Sequence, residues 1–359
     1  MRAAIFTGVG EPLVVEDVTV EPPRPTDVVV RIDGSGVCHT EAAILHGHLP
    51  VPAPAILGHE VSGIVVEVGS AVTRVAVGDR VISAGIPACG NCFHCVRSET
   101  HLCEQTFLRP AVTRARREDG SGLTTFSDLG GFAETMTVHE SSVVAVRSDL
   151  PGEQLALVGC AVLTGVGAAL NTAAVEPGAT VVVVGCGGVG QCVVQGARIA
   201  GAARIIAVDP VATKREFARA QGATDLVDPA DGDTVEQIRA LTGGRGADHA
   251  FEVVGRTDTF VTAYNCARRG GIVTLVGMPP ADSTVTLPGM SLFIDAKQIR
   301  SSNLGSSQIR RDIPRFVELA ETGRLDLGAM VSRRIDLDGL NDAFRAMDDG
   351  EVIRSVITS

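Results

Sequence analysis

Between Thr180 and Lys214 the chain reads TVVVVGCGGVGQCVVQGARIAGAARIIAVDPVATK. Five residues of β-branched strand, Thr180 to Val184, run into Gly185-Cys186-Gly187-Gly188-Val189-Gly190. An apolar-periodic helix follows, and a second strand, Arg204 to Val208, ends on Asp209. This is a dinucleotide fingerprint in its strand–turn–helix context. Gly185 permits the tight turn, Gly187 lets backbone approach a pyrophosphate, and Gly190 lets the helix pack on the strand. The pyrophosphate is expected over Gly188 and Val189, where unpaired N–H groups and the positive end of the helix dipole face it. Asp209 is placed to accept both adenosine ribose hydroxyls and to repel a 2′-phosphate, which favours NAD over NADP. The competing reading is a glycine-rich βα turn that binds nothing.

Around this stretch, residues 162–303 alternate strands and helices, with strands expected at Val181–Val184, Arg204–Val208, Asp225–Val227, Ala250–Val254, Ile272–Val276 and Gln298–Ser301. The pattern predicts an α/β fold with a doubly wound, six-stranded parallel sheet. Residues 1–161 instead show short alternating strands, Ala3–Phe6, Leu13–Val18, Asp27–Ile32, Val61–Val68, Arg80–Ser83 and Phe132–Val138, separated by Gly-Asp turns and prolines. They predict a mostly-β, barrel-like domain. The tail 304–359, with helices around Arg311–Glu321 and Leu337–Met347, is too short for its own core. It is expected to pack back on the first domain and so to place an active site in the cleft between domains.

A length of 359 residues exceeds one ordinary core, so two domains are expected. The net charge of −11 argues against nucleic acid or an anionic membrane as partner, and one Tyr with no Trp removes most base-stacking surface. The only basic run is Thr113 to Arg117, which reads as a solvated loop. No window is apolar enough for a membrane span and the start lacks a signal-length apolar stretch, so a cytoplasmic location is expected. Nine cysteines in a reducing compartment then argue for metal before disulfides.

Cys89, Cys92, Cys95 and Cys103 supply four soft ligands at short spacing, which suits a closed, structural tetrahedral zinc site. Unpaired buried thiols or an iron–sulfur set are the alternatives. Three further candidates are dispersed: Cys38 in Gly36-Val37-Cys38-His39-Thr40, His59 in Gly58-His59-Glu60, and Cys160 ahead of the nucleotide domain.

With GVCHT, GHE, the four-cysteine lobe, GCGGVG, GAARIIAVD, FEVVGRTDT and IRSVI, the chain resembles, nearly end to end, the zinc-dependent alcohol dehydrogenases of the medium-chain dehydrogenase/reductase (MDR) superfamily. The resemblance implies a GroES-like catalytic domain beside the Rossmann domain, and two zinc ions per subunit. Cys38, His59 and Cys160 then hold the catalytic zinc, and Glu60 is a carboxylate that ligates it transiently. Glu41 orients His59, although the family usually has Asp there. Thr40 takes the hydroxyl proton as hydride passes to NAD. The family's relay histidine falls at Ala43, so His46, His48 or direct release to water must serve. The resemblance also places His39 and Arg354 at the pyrophosphate, Lys214 at the adenosine ribose, and Val276 with Ser302–Leu304 at the carboxamide.

Gly85 falls where relatives carry an aromatic shelf. Its loss makes room for bulky, branched or aromatic alcohols unless Phe107, Phe126 or Phe293 swings in, while Leu49 keeps a bulky apolar neighbour. Arg109 and the Arg114–Arg117 cluster border the pocket entrance in relatives, where they would suit an acidic substrate such as a thiol–formaldehyde adduct. Cys186, Cys192 and Cys266 read as inert core. The expected activity is alcohol–aldehyde or alcohol–ketone interconversion with NAD. The alternatives are a thiol-dependent formaldehyde dehydrogenase and a non-catalytic, crystallin-like or regulatory relative. A homodimer through the sheet near Ile272–Pro288 is expected, with a tetramer as the variant.

Overall fold

The computed structural model of the chain describes residues 1–106 and 112–358. Phe107 and Arg109 lie outside the described residues. The chain forms two compact units. One comprises Met1–Cys160, Gln308–Gly323 and Leu327–Ser359, and the other Ala161–Ser307 with Arg324–Asp326.

The first unit begins with short strands: β1 (Arg2–Phe6), β2 (Val14–Asp17), β3 (Thr19–Val20), β4 (Asp27–Gly36), β5 (Ala55–Ile56), β6 (Glu60–Val68), β7 (Arg80–Ser83), β8 (Ala115–Arg116), β9 (Gly122–Thr125), β10 (Thr135–His139) and β11 (Val143–Ala145). One six-stranded sheet runs β2-β1-β5-β9-β8-β3. In the other, β4 is the spine, pairing antiparallel with β6 along one edge and with β10 along Asp27–Arg31 of the opposite edge. Inward positions of β4, Val28, Val30 and Ile32, meet Val61, Val65, Val81, Met136 and Val138 in one buried cluster. Each such side chain contributes about 1.5–3 kcal/mol on leaving water.

In the second unit β12 (Thr180–Val184), β13 (Arg204–Val208), β14 (Asp225–Val227), β15 (Ala247–Glu252), β16 (Ala267–Leu275) and β17 (Gln298–Ser301) form a parallel sheet in the order β14-β13-β12-β15-β16-β17. The uninterrupted valines of β12 follow from burial on both faces. Val181 and Val183 enter a core with Val193, Val194 and Ala197, while Val182 and Val184 enter another with Phe260 and Tyr264. Strand order reverses between β12 and β15, and the glycine turn leaves β12 at that point, where sheets of this kind bind ligands.

The chain then returns to the first unit. β18 (Arg333–Ile335) pairs with β19 (Ser355–Thr358), and β19 adds to β4 at Gly34–Gly36.

Several strands differ from their expected extents, β16 most of all, which starts at Ala267 rather than Ile272, and three of the differences have a visible cause. β15 stops at Glu252 rather than Val254, because the Glu252 carboxylate accepts the N–H groups of Val254 and Gly255, both at 2.8 Å, and bends the chain away. β10 starts at Thr135, not Phe132. Phe132 instead exchanges backbone bonds with Leu57 and Ala4 and is fully buried. β4 extends to Gly36, where the close approach of the Glu60 side chain leaves no room for a Cβ.

Candidate functional site

Cys38 follows the end of β4 as the N-cap of the helix His39–Leu45, and His59 immediately precedes β6. Cys160 lies between the turn Leu157–Gly159 and the helix Ala161–Gly167. These segments are remote in sequence, yet the ligand atoms of Cys38, His59, Glu60 and Cys160 all lie within 4.8 Å of one another. His59 Nε2 is 3.2 Å from Cys160 Sγ, and its Nδ1 is hydrogen-bonded to Glu41 Oε1. Thr40 Oγ1 lies 3.7 Å from Cys38 Sγ.

The electrostatics of this cluster are those of a metal cradle. The two thiols titrate as a pair: hydrogen bonding between them holds Cys38 well below the ordinary thiol range and pushes Cys160 well above it. Burial disfavours the imidazolium of His59, but Glu41 and Cys38 outweigh it and raise the ring well above its usual value. Burial lifts Glu41, with His59 opposing, and lifts Glu60 to about 8, with Arg354 opposing. Both Glu60 oxygens are buried without a hydrogen-bond partner, although Arg354 Nη2 stands 3.3 Å from Oε1. Buried acceptors of this kind are normally satisfied, so the site suits a cation. Two thiolates, an imidazole nitrogen and a reserve carboxylate within one coordination radius match the donor set of a zinc centre with one open position.

The second cluster is closed. Cys89, Cys92, Cys95 and Cys103 place their sulfurs within 4.8 Å of one another. Backbone N–H groups of Cys95 and Glu104 pull Cys92 down to about 6, whereas burial pushes Cys95 up to about 12. Four sulfurs fill a tetrahedral zinc shell and leave no substrate position.

In the second unit Gly185 has φ +95°, Gly187 is extended as the N-cap of the helix Gly188–Ala200, and a Cβ on Gly187 would meet nothing within 4 Å. The backbone there is bare toward an incoming diphosphate. Asp209 is 7% exposed, and its two oxygens accept from Cys186 N and Val211 N, both at 2.8 Å, with further lone pairs to offer. Lys214 lies in the helix Ala212–Gln221. Val276 N bonds Glu252 O at 2.8 Å, and Leu304 has φ +47°. His39 opens the helix His39–Leu45, whereas Arg354 is 4% exposed and gives Nη1 to Val37 O at 2.9 Å.

Sequence reasoning missed two side chains here. Gln191 Nε2 ties Cys186 O, at 2.7 Å, to Lys214 O, at 2.9 Å, and so joins the glycine turn to the next helix. A glutamine inside an apolar-periodic helix was its available signal. Glu252 was passed over as strand.

One expectation needs correction. The Arg114–Arg117 cluster is spent within the chain. Arg114 is 6% exposed, grips Asp128 through two bonds of 2.9 Å and also bonds Asp27, while Arg116 pairs with Glu21 and Arg117 with Glu16. It is a set of ion pairs to segments distant in sequence, with Arg114 buried and Arg116 still exposed, and not a free anion receptor. Of the three rings named for the place left at Gly85, Phe126 is the one that, among the described residues, reaches the metal cluster. Phe126 lies edge-on to His59, with centroids 5.7 Å apart at 82°. Phe293 is 84% exposed, and His46 faces Asp348 at 3.4 Å.

Residues 24–148 match the alcohol dehydrogenase GroES-like domain and residues 188–322 the zinc-binding dehydrogenase family. An S-(hydroxymethyl)glutathione dehydrogenase of Synechocystis sp. is 38% identical over 99% of each chain. The chain belongs to the zinc-dependent alcohol dehydrogenases of the MDR superfamily. Among solved structures, an alcohol dehydrogenase zinc-binding domain protein from Burkholderia ambifaria is similar at TM-score 0.95 and 32% identity, covering 99% of this chain and 98% of that one. Benzyl alcohol dehydrogenase from Acinetobacter calcoaceticus is similar at TM-score 0.93 and 29% identity, with the same coverage. As a member of this family the protein is an NAD-dependent zinc oxidoreductase, and its α/β fold with a GroES-like domain is the one its sequence predicts.

Proposed function

We propose that the protein oxidises bulky, branched or aromatic alcohols to aldehydes or ketones. One observation carries this substrate class. A Cβ at Gly85 would meet Ser127 and the His59 ring at ordinary contact distances of 3.8–4.0 Å, so glycine here leaves the volume of a missing side chain beside the metal cluster, and the edge of Phe126 offers it an aromatic wall.

Cys38, His59 and Cys160 would hold the catalytic zinc with Glu60 in reserve, and Cys89, Cys92, Cys95 and Cys103 the structural one. Zinc bound at the first site supplies a Lewis acid that makes a carbinol oxygen more acidic and favours hydride loss to nicotinamide. Glu41 accepts from His59 Nδ1 and so fixes the tautomer that leaves Nε2 for the metal. Thr40 Oγ1, 3.7 Å from Cys38 Sγ, would take the hydroxyl proton. Ala43 offers no onward carrier and His46 is engaged by Asp348, so the proton passes from Thr40 to water. Gly185, Gly187, Gly188, Val189 and Gly190 would cradle the pyrophosphate, aided by His39 and Arg354. Asp209 and Lys214 would take the adenosine ribose, and Val276 with Leu304 the carboxamide.

A second reading, a thiol-adduct alcohol as substrate, is favoured by the names of the relatives at 37–38% identity. Pairing of all three arginines in the Arg114–Arg117 cluster weakens one part of the feature that would recognise its carboxylates, and Arg109, the other part, lies outside the described residues. NAD reduction measured across benzylic, branched and S-(hydroxymethyl)glutathione substrates separates the two. Turnover of the thiol adduct alone would overturn the first.

A second copy of the chain is the proposed partner. β17 is an edge strand, and Met290, Phe293, Ile294 and Ile299 beside it are 46–84% exposed, an apolar face that pairing would cover. A cytoplasmic location is supported by six of the nine cysteines gathering in two metal-type clusters, which need reduced thiols. Among the described residues no single helix is long and apolar enough to cross a membrane.

A further inference from the structure

The helix Ala161–Gly167, which starts directly after Cys160, does not end as an α-helix. It widens into a π-helical turn, Ala168–Thr172, closed by Ala173 N to Ala168 O at 2.8 Å. Such turns cost backbone geometry and recur at functional sites. Here the turn delivers Thr172, 8% exposed, against the segment that leaves β17. Thr172 Oγ1 bridges Ser302 Oγ at 2.9 Å and Ser306 Oγ at 2.8 Å, and Arg300 Nη1 bonds Thr172 O at 2.8 Å.

The segment so held is strained. Leu304, Gly305 and Ser306 are consecutively left-handed, with φ of +47°, +67° and +49°. Two of the three are not glycine, and such residues persist only where the surroundings over-determine them. Close packing of Gly305 on the Leu163 carbonyl and the bond from Ser307 Oγ to Leu163 O, 3.3 Å, complete the restraint. Ser302 N bonds Leu275 O at 2.8 Å, so the run leaves the carboxyl edge of the parallel sheet, where open α/β sheets bind their ligands.

We propose that Thr172 is a positioning residue for the nicotinamide end of the coenzyme: its hydroxyl holds the left-handed run in the one conformation that turns the Leu304 backbone toward the carboxamide. The proposal rests on the coenzyme reading given above. Without the hydroxyl the run relaxes toward right-handed conformations, and the nicotinamide loses its backbone partners while the adenosine end keeps its own.

The test compares dissociation constants of NADH and ADP-ribose, which lacks the nicotinamide, for the full-length wild type, Thr172→Val, Thr172→Ser and Ser306→Ala. Thr172→Val should weaken NADH about five- to tenfold, the effect of losing two modest hydrogen bonds, and leave ADP-ribose within about twofold. Thr172→Ser, which keeps the hydroxyl, should restore NADH binding. Ser306→Ala removes one bond of the two and should weaken NADH about threefold, which keeps the test open if Thr172→Val does not fold. Unchanged NADH affinity in the valine or alanine variant, or parallel loss of both ligands, would overturn the role of Thr172. Wild-type protein that binds neither ligand would overturn the coenzyme reading itself, and the proposal with it.

Discussion

His59 can present one nitrogen to a metal only if the other is occupied, and Glu41 occupies it. The extra methylene of Glu, where relatives carry Asp, is absorbed by placing Glu41 wholly inside the protein on the helix that starts at His39. Glu41→Ala should therefore lose about 10–100-fold in zinc affinity or activity, whereas Glu41→Gln, which keeps an acceptor for Nδ1–H, should lose much less. Zinc content after titration with a competing chelator measures both. His48 makes no comparable contact with the cluster. It is exposed and meets the His46 ring at 6.0 Å. His48→Ala should leave the pH profile of hydride transfer within about twofold of wild type, and large loss rescued by added imidazole would restore it as a proton carrier.

At the scale of elements, the turn Phe126–Asp128 shows how a sidewall is built. Ser127 and Asp128 are both left-handed, at φ +54° and +57°, which aims Phe126 at His59, and Arg114 holds Asp128 in that pose. Arg114 also neutralises Asp27, a carboxylate 2% exposed. Arg114→Met should destabilise the protein by about 3–5 kcal/mol, because it leaves a buried charge uncompensated. Thermal or denaturant unfolding reads the loss. The arginine run was visible in the sequence, but its acidic partners lie in other segments of the chain, so a patch of charge looked free when folding had already paired it. The end of β15 was misplaced for a related reason: Val253 and Val254 have strand-forming side chains, and only the capping carboxylate of Glu252 shows where the ladder stops.

For the whole molecule, two metal clusters lead to about two zinc ions per chain by elemental analysis. Metal-free protein should take zinc into the first cluster more weakly as pH falls. His59 and Cys160 both hold their protons to higher pH than free side chains do, and zinc must displace them. Proton release on zinc addition, followed by calorimetry in buffers of different ionisation enthalpy, checks the sign. Phe293→Asp places a charge on the apolar face beside β17 and should convert the proposed dimer to monomers in sedimentation velocity, whereas a wild type that sediments as a monomer would overturn the dimer itself. An unchanged sedimentation coefficient would move the interface elsewhere.

Local signals determined much of this protein from the sequence alone. A valine run between glycines, helices alternating with strands, and four cysteines within fifteen residues each express a short-range rule of backbone geometry or ligand spacing, and such rules survive in a linear string. Tertiary structure decided everything that depends on partners distant in sequence. It brought Cys38, His59 and Cys160 within 4.8 Å, buried Arg354 against Glu60, paired the arginines of the Arg114–Arg117 cluster, and set Thr172 on Ser302 and Ser306. A side chain's charge and hydrogen-bonding capacity are written in its identity, but what it is free to bind depends on which neighbours folding has already given it.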